Sequence, residues 1–206
     1  MLKCAVFASG GGTNFQSLLD RKDSGDLHVE FACMIGNNST AHAFDRARSR
    51  NIPAIHLAPS RFASEGAYTA RLMDILKQYA VDLIILAGYM KMIPPDVVRA
   101  YPNRIINIHP SLLPSFGGKG LYGKLVHQAV LDYGAKVTGV TVHFVDEHYD
   151  HGPVILQRAV EVRDDDTADT LAARVLAVEH DTFWRAIELI AQGAIKVEGR
   201  RVVTVT

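Results

Sequence analysis

Short apolar runs alternate with longer amphipathic stretches along most of the chain. The run Val81–Ala87 is nearly continuous, which is typical of a parallel strand covered on both faces. In Thr13–Arg21 and Phe62–Tyr79, by contrast, apolar residues recur at helical spacing. Strands that alternate with helices indicate an α/β fold with a mainly parallel sheet and right-handed crossovers.

The pattern predicts the boundaries of each element as far as residue 133. The predicted strands are Lys3–Ala8, Val29–Ile35, Ala54–Leu57, Val81–Ala87 and Arg104–Ile108. The predicted helices are Thr13–Arg21, Ala41–Arg50, Phe62–Tyr79, Pro95–Ala100 and Lys124–Tyr133.

The pattern changes in the last third of the sequence. Lys136–Asp146 and Pro153–Val162 are two strand patterns with no helix between them, so we expect them to pair antiparallel. An unusually long helix is predicted over Thr167–Gln192, and Ile195–Thr206 predicts a hairpin that turns at Glu198-Gly199. The expected sheet is therefore mainly parallel, flanked by helices, with an antiparallel strand pair in its C-terminal part.

Composition narrows the class of protein. The 206 residues predict one domain, and 48% hydrophobic residues suffice for a sizeable core. With 22 basic and 22 acidic residues, the chain lacks the charge excess typical of nucleic-acid-binding domains. No apolar run approaches the roughly 20 residues needed to cross a membrane. Cys4 and Cys33 lie inside apolar runs and are expected to be reduced thiols, which suits a cytoplasmic protein.

A glycine-rich segment, Ser9–Asn14 (SGGGTN), separates the first predicted strand from the first helix. A helix N-terminus offers N–H groups and partial positive charge, and glycines let an anion approach the backbone closely. The segment matches neither a dinucleotide fingerprint nor a Walker A loop. It is therefore either a plain glycine turn or a phosphate site for a mononucleotide-like ligand.

Asn107 and His109 end a buried strand on the same side, because side chains alternate along a strand. Pro110 keeps the backbone of His109 extended. An amide can donate to a developing oxyanion, and an imidazole can stabilise that charge or move a proton near neutral pH. The alternative is a structural histidine next to a turn.

The segment from His143 to Gly152 is crowded with carboxylates and imidazoles. One interpretation is a metal-dependent hydrolase that uses His143, His148, Asp150 and His151, although their spacing matches no common metal motif. The other interpretation uses Asp150 alone for general acid–base chemistry, with the remaining residues in a solvated loop.

Five segments together resemble the phosphoribosylglycinamide formyltransferase family over nearly the whole chain. They are SGGGTN (9–14), LAGYMKMI (86–93), INIHPSLLPSF (106–116), TVHFVDEHYDHGP (141–153) and the Glu179-His180 pair. The resemblance implies a Rossmann-like formyltransferase fold in one domain, 1–206. Its N-terminal half, to about residue 100, would bind phosphate, and its C-terminal half would bind folate and carry catalysis. The alternative is a formyltetrahydrofolate-using transferase with a different acceptor, but the added acceptor-binding domain of such enzymes is not expected in this length.

The implied reaction moves a formyl group from 10-formyltetrahydrofolate to the amine of 5-phosphoribosylglycinamide in purine (IMP) biosynthesis. The resemblance implies that Asn107 and His109 stabilise a tetrahedral intermediate and that Asp150 assists proton transfer, with Thr141 and His143 in supporting positions. The substrate would be bound by Gly12, Thr13, Asn14, Pro110 and Glu179. The folate co-substrate would contact Met90, Lys91, Met92, Ile93, Asp146 and Tyr149.

The resemblance also implies which partners and which location to expect. It implies small-molecule substrates, no metal, no nucleic acid and no membrane, in a cytoplasmic monomer or homodimer. The sequence departs from the family at two positions. Leu176 stands where many relatives carry Lys or Gln, so a phosphate contact is either missing or supplied by another residue such as Lys119. Glu65 lies in a segment where relatives carry Arg. A cis bond is expected at Leu113-Pro114.

Overall fold

The computed structural model describes residues 1–205, which divide into two compact units, Met1–Ile106 and a second that begins at Asn107. The first unit contains β1 (Leu2–Ala8), α1 (Thr13–Asp23), β2 (Val29–Gly36), α2 (Ala43–Arg48), β3 (Ala54–His56), α3 (Glu65–Gln78), β4 (Leu83–Leu86) and α4 (Pro95–Ala100). Strand β5 (Ile105–His109) runs across the boundary. The second unit continues with α5 (Lys124–Tyr133), β6 (Val137–Phe144), β7 (Val154–Glu161), α6 (Ala168–Ala191), β8 (Ile195–Glu198) and β9 (Arg201–Thr204).

The first unit contains a parallel sheet in the order β3-β2-β1-β4. Strand β1 is central, and its Val6 pairs with Met34 of β2 and Ile85 of β4. Residues 4–8 of β1 are fully buried, as expected for a parallel strand between helical layers. Because the strands run the same way, the loops after β1, β2 and β4 emerge at one edge of the sheet.

The second unit has the strand order β5-β6-β7-β9-β8. Strands β6 and β7 pair antiparallel, with Thr141 opposite Gln157, which confirms the predicted pair. Both faces of β6 are buried, since Thr141, Val142 and His143 are at most 2% exposed. The polar side chains of β6 therefore need hydrogen-bond partners inside the protein.

Local capping explains where the observed helices differ from the prediction. The predicted start of α3 at Phe62 is wrong, because the helix begins at Glu65. The Ser64 hydroxyl caps it by accepting the Ala67 N–H at 3.1 Å, and Pro59–Arg61 forms a separate 3-10 turn. Helix α6 begins after a capping box in which Thr167 and Thr170 bond reciprocally.

The end of the chain follows the predicted hairpin, with β8 and β9 paired antiparallel around Gly199. The last residue of that prediction, Thr206, lies outside the described residues. In residues 1–205, even the 24-residue α6 is not apolar enough to cross a membrane, and neither is any other helix.

Candidate active site

A buried group of polar side chains lies in the second unit at the ends of β5 and β6. Asn107 and His109 come from β5, His143 from β6, and Asp150 from the loop that follows β6. His109 and His143 are 4% and 2% exposed, and the Asp150 side chain is 12% exposed. We call these four residues the buried cluster.

The contacts of His109 show which of its two ring nitrogens can gain and lose a proton. Its Nε2 lies 2.9 Å from the Phe116 carbonyl, which only accepts, so Nε2 carries a hydrogen. Its Nδ1 lies 3.5 Å from Asp150 Oδ2. Burial lowers the pKa of His109 below its usual value, although the Asp150 charge and the Phe116 carbonyl act in the opposite direction. The imidazole therefore rests neutral, and its titrating atom faces a carboxylate.

The hydrogen bonds of His143 fix the orientation of the Asn107 amide. Its Nδ1 lies 2.8 Å from the Phe144 carbonyl, which only accepts, so Nδ1 donates there and Nε2 is the ring atom left to accept. The Asn107 amide nitrogen is 3.2 Å from that Nε2 and donates one hydrogen to it. The second amide hydrogen of Asn107 remains for another acceptor.

Asp150 is held in an unusual backbone conformation, with φ at +51°. Its Oδ2 accepts the Gly118 N–H at 2.9 Å, and its Oδ1 lies 3.7 Å from His143 Nε2. Burial raises the pKa of Asp150, but the nearby His109 imidazole and the Gly118 N–H that it accepts lower it, and the pKa lies below its usual value. The group is therefore an ionised carboxylate in a largely dry setting.

The loop after β5 is fixed by Thr141 and by Gln157, a residue that the sequence interpretation missed. The Thr141 hydroxyl donates to the Ser111 carbonyl at 2.6 Å and accepts the Leu113 N–H at 3.0 Å. The Gln157 amide donates to the Leu113 carbonyl at 2.9 Å and to Thr141 Oγ1 at 3.0 Å. This loop begins at Pro110, contains the expected cis bond at Leu113-Pro114, and supplies the carbonyl that holds His109. The cross-strand register of Thr141 and Gln157 is the signal that would have revealed Gln157.

A second group, which we call the exposed cluster, consists of Asp146, His148 and His151. His151 Nδ1 lies 2.7 Å from Asp146 Oδ2, and the His148 N–H donates to Asp146 Oδ1 at 2.8 Å. Arg200 donates to the His151 carbonyl at 2.6 Å and lies 3.1 Å from its Nε2. The His148 and His151 side chains are 78% and 53% exposed.

The two clusters divide the four residues of the hydrolase interpretation. His143 and Asp150 belong to the buried cluster, whereas His148 and His151 face Asp146. The exposed cluster brings three potential ligand atoms within 4.8 Å of one another, but the Arg200 guanidinium already lies against His151. A positive guanidinium opposes a cation at that position.

Tyr149, a predicted folate contact next to Asp150, is 48% exposed.

The glycine segment of the first unit is anchored by α2. The Ala43 N–H donates to the Gly10 carbonyl at 3.2 Å, and Arg46 Nε donates to the Gly11 carbonyl at 2.8 Å. Because C=O and N–H point oppositely in a trans peptide, the N–H groups of Gly11 and Gly12 point away from α2. Gly12 has φ +69°, and a Cβ there would lie 2.8 Å from Ala43 Cβ. The loop thus presents backbone N–H groups beside the start of α1, where Thr13 and Asn14 lie.

The remaining predicted contacts lie in both units, and each is described within its own. In the first unit, Met90 and Met92 are 51% and 43% exposed, Lys91 is exposed and Ile93 is buried. In the second, Glu179 lies on α6 and is 8% exposed, one turn after the half-buried Leu176. Lys119 is exposed in the loop between β5 and α5.

Comparison with known proteins gives consistent matches. The family model described as "Formyl transferase" matches residues 2–187. A chloroplastic phosphoribosylglycinamide formyltransferase from Vigna unguiculata is 45% identical over 94% of this chain, which spans 62% of that protein. The phosphoribosylglycinamide formyltransferase of Bacillus subtilis (strain 168) is 38% identical over 91% of this chain and 94% of that protein. The crystal structure of glycinamide ribonucleotide transformylase 1 from Symbiobacterium toebii has a TM-score of 0.94 at 42% identity, covering 100% of this chain and 95% of that one.

Proposed function

Because the chain belongs to the formyl transferase family, we propose that it transfers a formyl group from 10-formyltetrahydrofolate to the amine of 5-phosphoribosylglycinamide in purine biosynthesis. The names of its relatives from Vigna unguiculata and Bacillus subtilis support this acceptor. The observation that carries the proposal is the buried cluster, which combines an amide donor, a neutral imidazole and a carboxylate.

The chemistry begins with attack of the neutral substrate amine on the formyl carbon. A carbon–nitrogen bond forms, and the formyl oxygen becomes an oxyanion. The second amide hydrogen of Asn107 is available to that oxygen, because His143 takes only the first. Fixed donors aimed at a developing charge stabilise the transition state.

His109 and Asp150 move the proton that the reaction must relocate. The attacking amine loses a proton, and N10 of the folate gains one when the tetrahedral intermediate collapses and the bond between N10 and the formyl carbon breaks. His109 Nδ1 can take up a proton as the oxyanion develops, since it faces the Asp150 carboxylate at 3.5 Å. The products are the formylated amine and tetrahydrofolate, so atoms and charge balance.

Substrate binding is assigned to both halves of the chain within the proposed single domain. The N–H groups of the glycine segment, with Gly12, Thr13 and Asn14, would bind the phosphate at the start of α1. Glu179 would accept from the ribose hydroxyls, and Pro110 would line the substrate site. The folate would contact Met90, Lys91, Met92, Ile93, Asp146 and Tyr149.

Three further parts of the proposal concern the phosphate, the assembly and the location. With Leu176 apolar, Lys119 is the basic side chain proposed for an additional phosphate contact. The protein is expected to act as a monomer or homodimer, without metal or nucleic acid. The cytoplasm is the expected location, although the relative from Vigna unguiculata is named as chloroplastic.

The test is a spectroscopic assay of deformylated folate release by the purified, folded protein. Release that depends on 5-phosphoribosylglycinamide would support the proposal, and release with water alone would indicate a deformylase. Asn107→Ala and His109→Ala should retain substrate binding while losing turnover. No release with this acceptor, in a sample shown to be folded, would refute the assignment.

A further inference from the structure

Ser9, the first residue after β1, is bonded to two other loops of the first unit. Its N–H donates to the Gly88 carbonyl at 3.0 Å. Its hydroxyl accepts the Met90 N–H at 2.8 Å and donates to Asn37 Oδ1 at 2.5 Å. One serine therefore links the glycine segment with the loops that follow β2 and β4.

The segment that Ser9 holds is anchored through Tyr89 and Met90 and carries two exposed methionine side chains. The Tyr89 ring packs edge-on against Phe7 at 5.2 Å between ring centroids, and its hydroxyl lies 3.1 Å from that of Tyr68. Tyr89 is buried, whereas the neighbouring Met90 is 51% exposed. The Met90–Ile93 segment thus presents flexible thioether side chains on a backbone that Ser9 and Tyr89 fix in place.

The glycine segment on the other side of Ser9 is held in a complementary way. Its Gly10 and Gly11 carbonyls are bonded to Ala43 and Arg46 of α2. The N–H groups of the same two peptides belong to Gly11 and Gly12. An anion bound to these N–H groups would leave each peptide held at both its carbonyl and its N–H, so that it could no longer rotate. Ser9 is directly joined to Gly10, so such a restriction reaches it without passing through a flexible linker.

We propose that Ser9 is a positioning residue that couples the phosphate-binding loop to the Met90–Ile93 segment. Anion binding next to Ser9 would strengthen its bond to the Met90 N–H and so further stabilise the backbone of the segment proposed to contact the folate. By linkage, each substrate would then tighten binding of the other by the same factor. This inference rests on the proposed function, which assigns one substrate to each of the two loops.

The first experiment needs no turnover and uses inorganic phosphate as the probe. Hydrogen exchange of the peptide covering residues 88–93 is measured by mass spectrometry, with and without saturating phosphate. In the wild type, phosphate should slow exchange of the Met90 amide. In Ser9→Ala that amide should exchange about two- to tenfold faster, as loss of one net hydrogen bond implies, and should no longer respond to phosphate.

Two variants make the exchange result decisive. Ser24→Ala removes a hydroxyl that also makes two hydrogen bonds, to the Arg21 carbonyl and to Asp26, but at the far end of α1. It should behave as the wild type, and Ser9→Thr, which keeps a hydroxyl, should retain the phosphate response. The inference is wrong if the wild type shows no response, if Ser9→Ala keeps it, or if Ser24→Ala loses it equally.

The second experiment separates this inference from the proposed function. Calorimetry of 5-phosphoribosylglycinamide, with and without tetrahydrofolate, should show about fivefold tighter binding in the ternary complex, at the low end of the usual coupling range. In Ser9→Ala this factor should approach one, and KM should rise for both substrates while kcat changes little. A wild type that neither binds nor formylates this acceptor refutes the proposed function, whereas the phosphate-dependent exchange still decides the role of Ser9.

Discussion

The exposed cluster and Asp150 of the buried cluster come from the loop after β6, and both clusters contain histidine and aspartate, yet their bonds differ in kind. In the buried cluster, backbone carbonyls of Phe116 and Phe144 fix which ring nitrogen of each histidine accepts. In the exposed cluster, the histidines are paired with Asp146, and Arg200 lies against one of them. Burial makes the first set of bonds strong and specific, whereas water and salt screen the second.

This difference shows that the residue types in a cluster do not by themselves identify a catalytic group. Asp146 and Asp150 both have a pKa below its usual value, against the raising effect of burial. Only Asp150 faces the titrating nitrogen of a neutral, buried histidine. A proton can be relayed there, because donor and acceptor are held in place before the substrate arrives.

The largest effect is expected from Asp150→Asn, which keeps the shape of the side chain and removes its charge. Without the carboxylate, His109 Nδ1 loses the partner that favours its protonation, so kcat should fall by about 10²- to 10⁴-fold. Single-turnover assays would measure this loss. His148→Ala, in the exposed cluster, is the matched control and should retain turnover. Equal loss of kcat in both variants would mean that the two clusters do not differ in function.

Asn107→Ala should have the second-largest effect, since it removes the proposed oxyanion donor. Loss of one such donor lowers kcat by about 10²- to 10³-fold. Substrate binding, measured by calorimetry, should change far less, because the ground-state formyl oxygen carries little charge. A rise in KM with unchanged kcat would assign Asn107 to substrate binding instead.

A third, moderate effect concerns stability against pH. The pKa of His109 is lower in the folded protein than in the unfolded chain, because burial disfavours the charged ring. Between those two values the unfolded state binds more protons, so stability should decline as the pH falls below about 6.5 and level off below the folded pKa.

Thermal unfolding midpoints from pH 8 to 5 would measure this decline in the wild type and in His109→Gln. The variant should show a shallower slope. His127 contributes with the same sign, because burial and the nearby His109 lower its pKa as well. An unchanged slope in His109→Gln would mean that His109 is not the group responsible.

The smallest effects are expected in the exposed cluster. His151→Ala removes an exposed contact with Asp146 and the contact with Arg200, so the free energy of unfolding should change by less than about 1 kcal/mol. The kcat of His148→Ala and of His151→Ala should stay within about twofold after chelation, because neither side chain belongs to the buried cluster. Activity that is lost on chelation and restored by zinc would favour the hydrolase interpretation.

The sequence predicted much of the fold because periodicity carries that information. The parallel strands of the first unit and the antiparallel β6 and β7 follow from their apolar patterns. The start of α3 was misplaced, because apolar Phe62 fits the helical pattern while the capping hydroxyl of Ser64 decides the boundary.

The candidate site was less accessible to the same reasoning. Strand alternation placed Asn107 and His109 on one face, but the ring tautomers depend on carbonyls whose positions no periodicity describes. The role of Gln157 depends on its register opposite Thr141, which is set by pairing between strands. Arg46 donates to the Gly11 carbonyl although the two residues are 35 positions apart, so no local sequence motif predicts this hydrogen bond.

The left-handed backbone conformation of Asp150 has a consequence for engineering the thermostability of this protein. A residue with a side chain is strained at φ +51°, so the backbone alone would favour a glycine there. A screen that selects only for heat resistance would not protect Asp150, because relief of this backbone strain counts toward stability whether or not turnover survives. Thermostability engineering of this chain should hold position 150 constant and select on turnover as well as survival.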